Sequence, residues 1–435
     1  MNEPSPRWSW PGSLWASVTP AAEPLPALEG EVDADLVVIG AGFTGLTAAL
    51  HAVEQGRRVV VLEAAAPGFG ASGRTNGQVI PTLSRPDPED LIARWGDAGE
   101  RFVHLLRDSA NHLFSQVKRL GIDCEAEQAG WVQPAHSPGR LKISERRVRQ
   151  WSRYGADVAL LTRQEARDLI GSDTWFGGWT ARSGGHINPL AFTRGLAGAV
   201  RAKGGTIHAD TPVGELTHDG ERWVAVGPRG RVRAHAAVLA THAYTGEFAP
   251  GLAAGLAREV VPVHSFQMAT QPLGDDLRGL ILPQRTSLSD THGDLHFARY
   301  DARHRLISGG ALLSPANAEH KLRPMIAARL RKMFPQIGEV RFDYIWYGFI
   351  GMTDDYHPRV HQIGPNGFAW AGCNGRGIAL SVSMGRELAR AALGEDVRGL
   401  ALPIEPIRPV PFHALARRVG PLKLILYRWR DAREI

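Results

Sequence analysis

Residues 35 to 63 constrain the fold more than any other stretch of the chain. An apolar run, Leu36 to Ile39, reads as a buried parallel strand and breaks into Gly40-x-Gly42-x-x-Gly45. A helical pattern follows through Leu46, Ala49, Leu50 and Val53, stops at Gly56, and gives way to a β-branched strand, Val59 to Leu62, closed by Glu63. These are the parts of a βαβ dinucleotide-binding unit at the expected spacing. Gly40 permits the tight turn, Gly42 lets backbone N–H groups approach a pyrophosphate, and Gly45 lets helix and strand pack closely. Phe43 and Thr44 open the helix, so phosphates would sit at the positive end of its dipole. Glu63 is placed to accept hydrogen bonds from a ribose diol, and its charge would repel a 2′-phosphate. A second triplet, Gly68-Phe-Gly70-Ala-Ser-Gly73, fits the same pattern but does not directly follow a strand. It is not read as a second site of this kind.

Composition narrows the class. A chain of 435 residues is long enough for two lobes with real cores. No apolar run approaches the roughly 18 to 20 residues needed to span a bilayer. Met1 to Pro20 lacks the basic start, apolar core and cleavage site of a secretory signal. Only Cys124 and Cys373 are present, which suits a reducing cytoplasm, and no Cys/His spacing suggests a metal site. The net charge of +6 is mild, and much of it is local. Arg417, Arg418, Lys423, Arg428, Arg430 and Arg433 stand against only Asp431 and Glu434 in the tail. Nucleic-acid binding would need a broader basic face and is not expected.

Along the chain, a helix is expected over about 89–120, where Phe102, Leu106, Leu113 and Val117 recur at helical spacing before Gly121. Thr162-Arg-Gln-Glu165 is a capping box opening a short helix that ends near Gly171. Gly184 to Pro189 turns into a helix over 190–203. Strands follow at 206–208, 223–226 and 232–235, then a separate buried run at 237–240 leads into Thr241-His-Ala-Tyr-Thr-Gly246. Residues 259 to 350 read as an antiparallel sheet, 368–371 as another buried strand, and a helix is expected from near Ser381. The nucleotide-binding signals thus fall in three separated stretches. They predict an α/β fold: a discontinuous Rossmann-type domain (31–90, 185–250 and 340–400) interleaved with an antiparallel-sheet substrate domain (91–184 and 251–339). An N-terminal arm (1–30) and a basic C-terminal tail (401–435) complete the division.

These motifs resemble the D-amino-acid oxidase superfamily of FAD-dependent amine oxidoreductases. The fingerprint ending in Glu63 carries the resemblance together with Gly70-Ala-Ser-Gly-Arg74-Thr-Asn-Gly77-Gln, Val238-Leu-Ala-Thr241-His-Ala-Tyr and Gly372-Cys-Asn-Gly375-Arg-Gly377-Ile. Ser13-Leu-Trp15-Ala-Ser, Gly184 to Pro189, Ala269-Thr-Gln-Pro272 and Tyr427-Arg-Trp-Arg-Asp431 are similar to the γ-glutamylputrescine oxidase branch. By resemblance, FAD contacts extend to Ala71, Ser72, Gly73, Arg74, Asn76, Gly77 and Gln78 under the flavin. They extend also to Val213, Ala240 and Thr241, and to Gly372, Asn374, Gly375, Arg376, Gly377 and Ile378, which close on the ring. The fingerprint alone serves NAD and FAD alike, but two downstream glycine segments would be surplus to an NAD site. No second fingerprint for NAD(P)H is visible, so the amine is the expected reductant.

The reaction implied is oxidation of a primary or secondary amine to an imine by hydride transfer to flavin, then hydrolysis to an aldehyde. It needs the neutral amine, close positioning and a dry pocket more than a dedicated acid or base. His264, Phe266, Tyr300, Trp346 and Tyr347 are the candidates to line that pocket, against the alternative that aromatics in such a sheet are core. Asp290 and Asp355 are turn residues or partners of a substrate ammonium; Arg74 is a carboxylate or flavin partner or a surface salt bridge. Sarcosine oxidases carry a lysine that promotes reaction with oxygen in the stretch matching 260 to 320, and this chain has no lysine from 204 to 320. Their carboxylate-binding lysine is replaced by Ala379. The acceptor is therefore O2 or a quinone-type carrier. No cysteine lies in 346–352 and no histidine in 68–78, where relatives attach flavin, so FAD is expected to be non-covalent. Two alternatives stand beside the amine enzyme: a D-amino-acid or N-alkyl-amino-acid dehydrogenase, and a flavin-binding subunit dependent on a partner protein. The tail's apolar residues are expected to cap the protein's own core, in preference to forming a membrane-surface helix.

Overall fold

The computed structural model describes residues 8–249 and 251–434. The strand Gly30–Ile39 lies inside an eight-stranded sheet, parallel to Val59–Leu62 on one side and to Gly230–Leu239 on the other. Thr206–His208 extends the sheet beyond Val59–Leu62. Gly367–Ala371 extends it beyond Gly230–Leu239, and Arg359–Gly364 closes that edge antiparallel. Alternation explains why the central strand reads as a continuous apolar run. Leu36 and Val38 point into a core shared with Leu46, Phe192 and Leu380 of three covering helices, Phe43–Glu54, Pro189–Ala202 and Ile378–Ala392. Val37 and Ile39 point the other way, into a core with Trp223, Leu239 and Leu252. Two glycines make the helix packing possible. A Cβ at Gly45 would overlap the Gly40 carbonyl, and one at Gly385 would overlap the Thr44 carbonyl where the first and last helices cross.

The second sheet also has eight strands, ordered Phe342–Met352, Val261–Pro272, Arg305–Gly310, Phe297–Tyr300, Ser287–Ser289, Trp131–Pro134, Gly178–Ala181 and Val158–Leu161. All neighbours are antiparallel except Ser287–Ser289 beside Trp131–Pro134. The strand Phe342–Met352 belongs here, although the expected division groups 340–400 with the nucleotide sheet. Its long ladder with Val261–Pro272 places it in the second sheet.

Three local expectations are corrected. The helix expected over 89–120 is two, Pro88–Trp95 and Asp97–Leu120, broken where Gly96 takes a left-handed φ of 57°. The extended reading of 259–350 misses the helix Ala318–Met333. Pro324 inside it masks the pattern, but Leu322, Ile326 and Leu330 recur every four residues and are fully buried. The runs at 232–235 and 237–240 are one strand, Gly230–Leu239. The capping box at Thr162 and Glu165 forms as expected, and the last covering helix begins at Ile378.

Of the two chain ends, the tail differs from expectation. The arm is built into the protein: Ser13 caps the short helix Leu14–Val18, and Trp15 is fully buried against Trp346. In the tail, Leu415, Val419, Leu422, Ile425, Leu426 and Trp429 are exposed, so they do not cap the core. No helix of the described residues is long and apolar enough to cross a membrane.

Candidate active site

Stretches far apart in sequence meet at the carboxyl ends of the central strands, where open α/β sheets hold ligands. Gly40, Gly42, Phe43, Thr44, Glu63, Ala71, Ser72, Val213, Ala240, Thr241, Gly375, Gly377 and Ile378 all line one cleft.

At one end, Glu63 is buried and accepts from the Ala41 N–H (2.7 Å) and the Ala65 N–H (3.0 Å). Burial pushes its carboxyl above the usual range despite those amides. The two bonds fix the carboxylate and leave lone pairs for sugar hydroxyls. Val213 borders the same end. At the middle, the helix Phe43–Glu54 opens on the cleft with Gly42 as its N-cap and no side-chain cap of its own. Ser72 Oγ accepts from the Phe43 N–H (3.0 Å), tying the glycine-rich loop to the fingerprint. Glu63 is the only carboxylate, and no lysine or arginine appears, among the described lining residues. Anionic phosphates would therefore be held by backbone amides and the helix dipole.

The other end is apolar and aromatic: Tyr244, Phe248, Phe349 and Ile350. Arg74 borders it. Its Nε donates to the Phe69 carbonyl (2.7 Å), its guanidinium lies 4.6 Å from the Phe69 ring centre, and its Cβ approaches Gly348. An elongated cleft with a fixed acid at one end, amides in the middle and a flat apolar end fits a flavin adenine dinucleotide.

The remaining expected cofactor residues are placed around the cleft, outside its lining. Gly45 serves helix packing. Gly73 avoids an overlap with the Gly68 carbonyl, and Gly68 itself has a φ of 82°. Asn76 Oδ1 accepts from the Gln78 N–H (2.9 Å), and Gln78 Nε2 donates to the Leu288 carbonyl (3.0 Å). Gly77 (φ 85°) passes so close to Arg299 and the Ile187 carbonyl that a Cβ would overlap both. Asn374 ties Gly372 to Thr353, accepting from the Thr353 N–H (2.9 Å). Arg376 is buried, donates to Thr82 Oγ1 (2.5 Å) and the Leu83 carbonyl (2.8 Å), and lies over the Trp131 ring; burial pushes its pKa well down.

None of the five expected substrate residues lines the cleft. His264, Phe266 and Tyr347 cluster with Phe349, which does, at ring separations of 4.8 to 6.3 Å. Trp346 is on the opposite face of its strand and donates to the Arg74 carbonyl (2.8 Å), bracing the loop beneath the flavin end. Tyr300 is buried in the second core with its hydroxyl on the Ile281 carbonyl (3.1 Å). Asp290 and Asp355 are turn residues with engaged carboxylates: Asp290 with His292, and Asp355 with Arg94 and Arg359. Sequence reasoning missed His242, Tyr244, Phe349 and Ile350. His242 has a φ of 46°, and its Nε2 accepts from the Cys373 N–H (3.1 Å), joining two glycine-rich turns across the cleft. The Thr241-His-Ala-Tyr segment was the signal for the first two.

The fold also assembles Asp290, His292 and His296, with His136 stacked on His292 at 3.9 Å. The three lie within seven residues, Asp290-x-His292-x3-His296, a spacing that the sequence reading passed over. Asp290 accepts from the His292 ring (2.6 Å) and from the His292 and His296 backbone N–H groups, while the His296 ring lies 3.7 Å from its carboxylate.

Buried histidines set the pH response. His186, on the ribbon that pairs Gln78 and Val79 with Gly185 and His186, is pushed down to about 4 by burial, partly offset by Glu127. His136, His112 and His296 are likewise lowered to about 4 by burial. Between pH 4 and 6.5 the unfolded chain binds more protons than the folded one, so stability rises with pH across that window and is lost on acidification. For His186 alone the effect reaches roughly 3 kcal/mol at full protonation. Thermal melting should fall continuously from pH 7 to 4.5, and His186→Gln should flatten the slope. A melting temperature flat over that range would contradict this.

The family profile described as "DAO: FAD dependent oxidoreductase" matches residues 35–391. The γ-glutamylputrescine oxidoreductase of Escherichia coli (strain K12) is 30% identical over 401 residues, covering 92% of this chain and 93% of that protein. A probable oxidoreductase, OrdL, of Haemophilus influenzae is 30% identical over 367 residues, covering 84% of each. The crystal structure of glycine oxidase from Geobacillus kaustophilus superposes with a TM-score of 0.70 at 20% identity, covering 87% of this chain and 99% of that one. With its fingerprint, its cleft and its two sheets all in the matched span, the chain belongs to the DAO family of FAD-dependent oxidoreductases.

Proposed function

We propose that the protein oxidises a primary or secondary amine of the γ-glutamylputrescine type to an imine, which water then hydrolyses to an aldehyde. The observation that carries this reading is the flavin end of the cleft, where Tyr244, Phe349 and Ile350 present apolar surface. Such a wall desolvates an ammonium and lowers its pKa, favouring the neutral amine that can react. FAD, when bound, accepts the hydride equivalent leaving the amine-bearing carbon. The chain's own part is to position that carbon, exclude water and take up no charge at the reacting end. Arg74 has no carboxylate within salt-bridge distance among the described residues, which suits it to the flavin's polar edge or to a substrate carboxylate. The E. coli relative's name supports the amine.

The strands of the second sheet between 261 and 310 contain no lysine, which supports an acceptor other than O2. We infer a quinone-type carrier. Two free cysteines, Cys124 and Cys373, support a reducing compartment. An amino-acid dehydrogenase is the second reading, favoured if Arg74 proves to bind a substrate carboxylate.

Anaerobic addition of γ-glutamylputrescine, other amines and D- or N-alkyl amino acids should bleach the flavin band, with the acylated polyamine fastest. No bleaching by any of them would overturn both enzyme readings and favour a partner-dependent flavin subunit. Reoxidation by a soluble quinone should be faster than by air by about tenfold or more, a barrier difference of about 1.4 kcal/mol. Fast reaction with air would return the protein to the oxidases. Acid precipitation should leave FAD in the supernatant.

A further inference from the structure

The final helices show their apolar side to solvent and use their polar side to hold the body. The segment comprises His413–Val419, the turn Gly420–Leu422 and Lys423–Asp431. Tyr427, Arg428 and Asp431 face inward. The Tyr427 hydroxyl lies 3.0 Å from that of Tyr356, Arg428 Nε lies 2.7 Å from Asp294 Oδ2, and Asp431 accepts from the Gly293 N–H. Arg140 holds Glu434. On the outer side, Phe412 is 84%, Leu422 54% and Trp429 51% exposed, with Leu415, Ile425 and Leu426 beside them. A helix that only covers its own core does the reverse. Contiguous exposed apolar surface marks a contact site.

Charge selects the occupant. Arg418, Lys423, Arg430 and Arg433 have no carboxylate within 4 Å among the described residues, while the segment's own acids, Asp431 and Glu434, are consumed inward. Arg433 lies 3.8 Å over the Trp429 ring. A second copy of the same face would bring these free cations against their own kind. Leucine, isoleucine and tryptophan among free Lys and Arg on a shallow helical face is the chemistry of the lipid interface.

We propose that this helical pair seats the protein on an anionic lipid bilayer. The position suits it. Arg417 pairs with Glu247 (3.0 Å), and His413 reaches the Val260 carbonyl. Ala243, Tyr244 and Gly246 of the turn beside Glu247 line the cofactor cleft, so a bilayer-dissolved acceptor would arrive beside its flavin end. Only that last consequence rests on the quinone reading; the binding does not.

Sedimentation of the flavin-loaded full chain with vesicles tests it. Binding should be at least tenfold stronger to phosphatidylcholine containing phosphatidylglycerol than to phosphatidylcholine alone, since each Lys or Arg near an anionic surface contributes about fivefold. High salt should release it. Leu422→Ser, Ile425→Ser and Trp429→Ser combined should abolish binding, and Arg418→Gln, Lys423→Gln and Arg430→Gln combined should erase the preference for anionic lipid. Both variants should keep the flavin spectrum and its bleaching by amine, which shows that the fold survives. Wild-type protein remaining in the supernatant with both vesicles would overturn the proposal. So would undiminished binding by the apolar variant, or a light-scattering dimer that this variant dissociates while no vesicle binds. A protein that binds vesicles but prefers O2 would leave the bilayer contact standing and remove the quinone.

Discussion

Replacing Gly42 by valine is expected to give a folded protein that purifies almost free of flavin. Gly42 is the N-cap of the fingerprint helix, in extended backbone, so valine strains nothing by its dihedrals. Its cost is steric. A Cβ there would come 2.8 Å from Ser72 Oγ, the atom that accepts from the Phe43 N–H. The branched side chain would then project into the channel where phosphates approach the helix amides. Loss of that approach is worth about 3 kcal/mol or more, which weakens FAD binding by about 100-fold or more. Flavin absorbance against protein absorbance reads the result, with circular dichroism confirming the fold. Stoichiometric flavin in the variant would contradict the site. Glu63→Gln is the independent check. It keeps the shape and removes one charge-assisted partner of the sugar, so FAD should bind about tenfold more weakly.

Arg299→Met is expected to cost about 3–5 kcal/mol and to loosen the flavin loop at the same time. The Arg299 guanidinium is fully buried, and burial pushes its pKa down to about 10. It donates to three backbone carbonyls, those of Asn76 (2.6 Å), Ile187 (2.8 Å) and Tyr300 (2.9 Å), and lies 4.8 Å from the Trp15 ring centre. One side chain thus joins the loop after Arg74, the turn before the helix Pro189–Ala202, and the second sheet. Methionine fills the volume but strands all three acceptors. Calorimetry should show melting lowered by several degrees and flavin lost more readily on dialysis. Arg299→Lys should recover only part, because an ammonium lacks the planar fork that reaches three carbonyls at once. A melting temperature unchanged to within about 1 °C would show that the carbonyls find water instead, since 1 kcal/mol shifts melting by about that much or more even in large domains.

Arg299 also marks where sequence reading stops. Local signals were legible wherever neighbours in sequence act together. The run Leu36 to Glu63 announced strand, turn, helix and strand because each of these is fixed by residues within a few positions. The capping box at Thr162 and Glu165 was legible for the same reason. Arg299, by contrast, was passed over beside the candidate Tyr300, and its three partners lie 1, 112 and 223 residues away. Nothing in local pattern distinguishes it from a surface arginine. The break at Gly96 and the helix Ala318–Met333 were missed because competing local patterns, a long apolar periodicity and an interior proline, pointed elsewhere.

The candidate site divides along the same line. The glycines of the fingerprint, Glu63 and the loop serine are dictated by the approach of backbone to ligand, and short spacings display that. The aromatic residues of the sheet are not. Trp346 and Tyr347 share a strand with Phe349 and Ile350, and His264 and Phe266 lie on the strand paired with it, yet only Phe349 and Ile350 reach the cleft. Tyr347 is on the same face as Phe349 and His264 is opposite Phe349 in the ladder, so position along the strand relative to the first sheet, and not the face alone, decides which side chain meets the ligand. The tail shows the same limit: its composition named an amphipathic segment, and both orientations were open to it. Sequence by itself determined a dinucleotide-binding α/β protein with a cofactor cleft at its strand ends. Only the tertiary structure decided which aromatics face that cleft, which arginine locks its loop, and that the last helices turn their apolar side outward, because each of these is settled by partners distant in the chain.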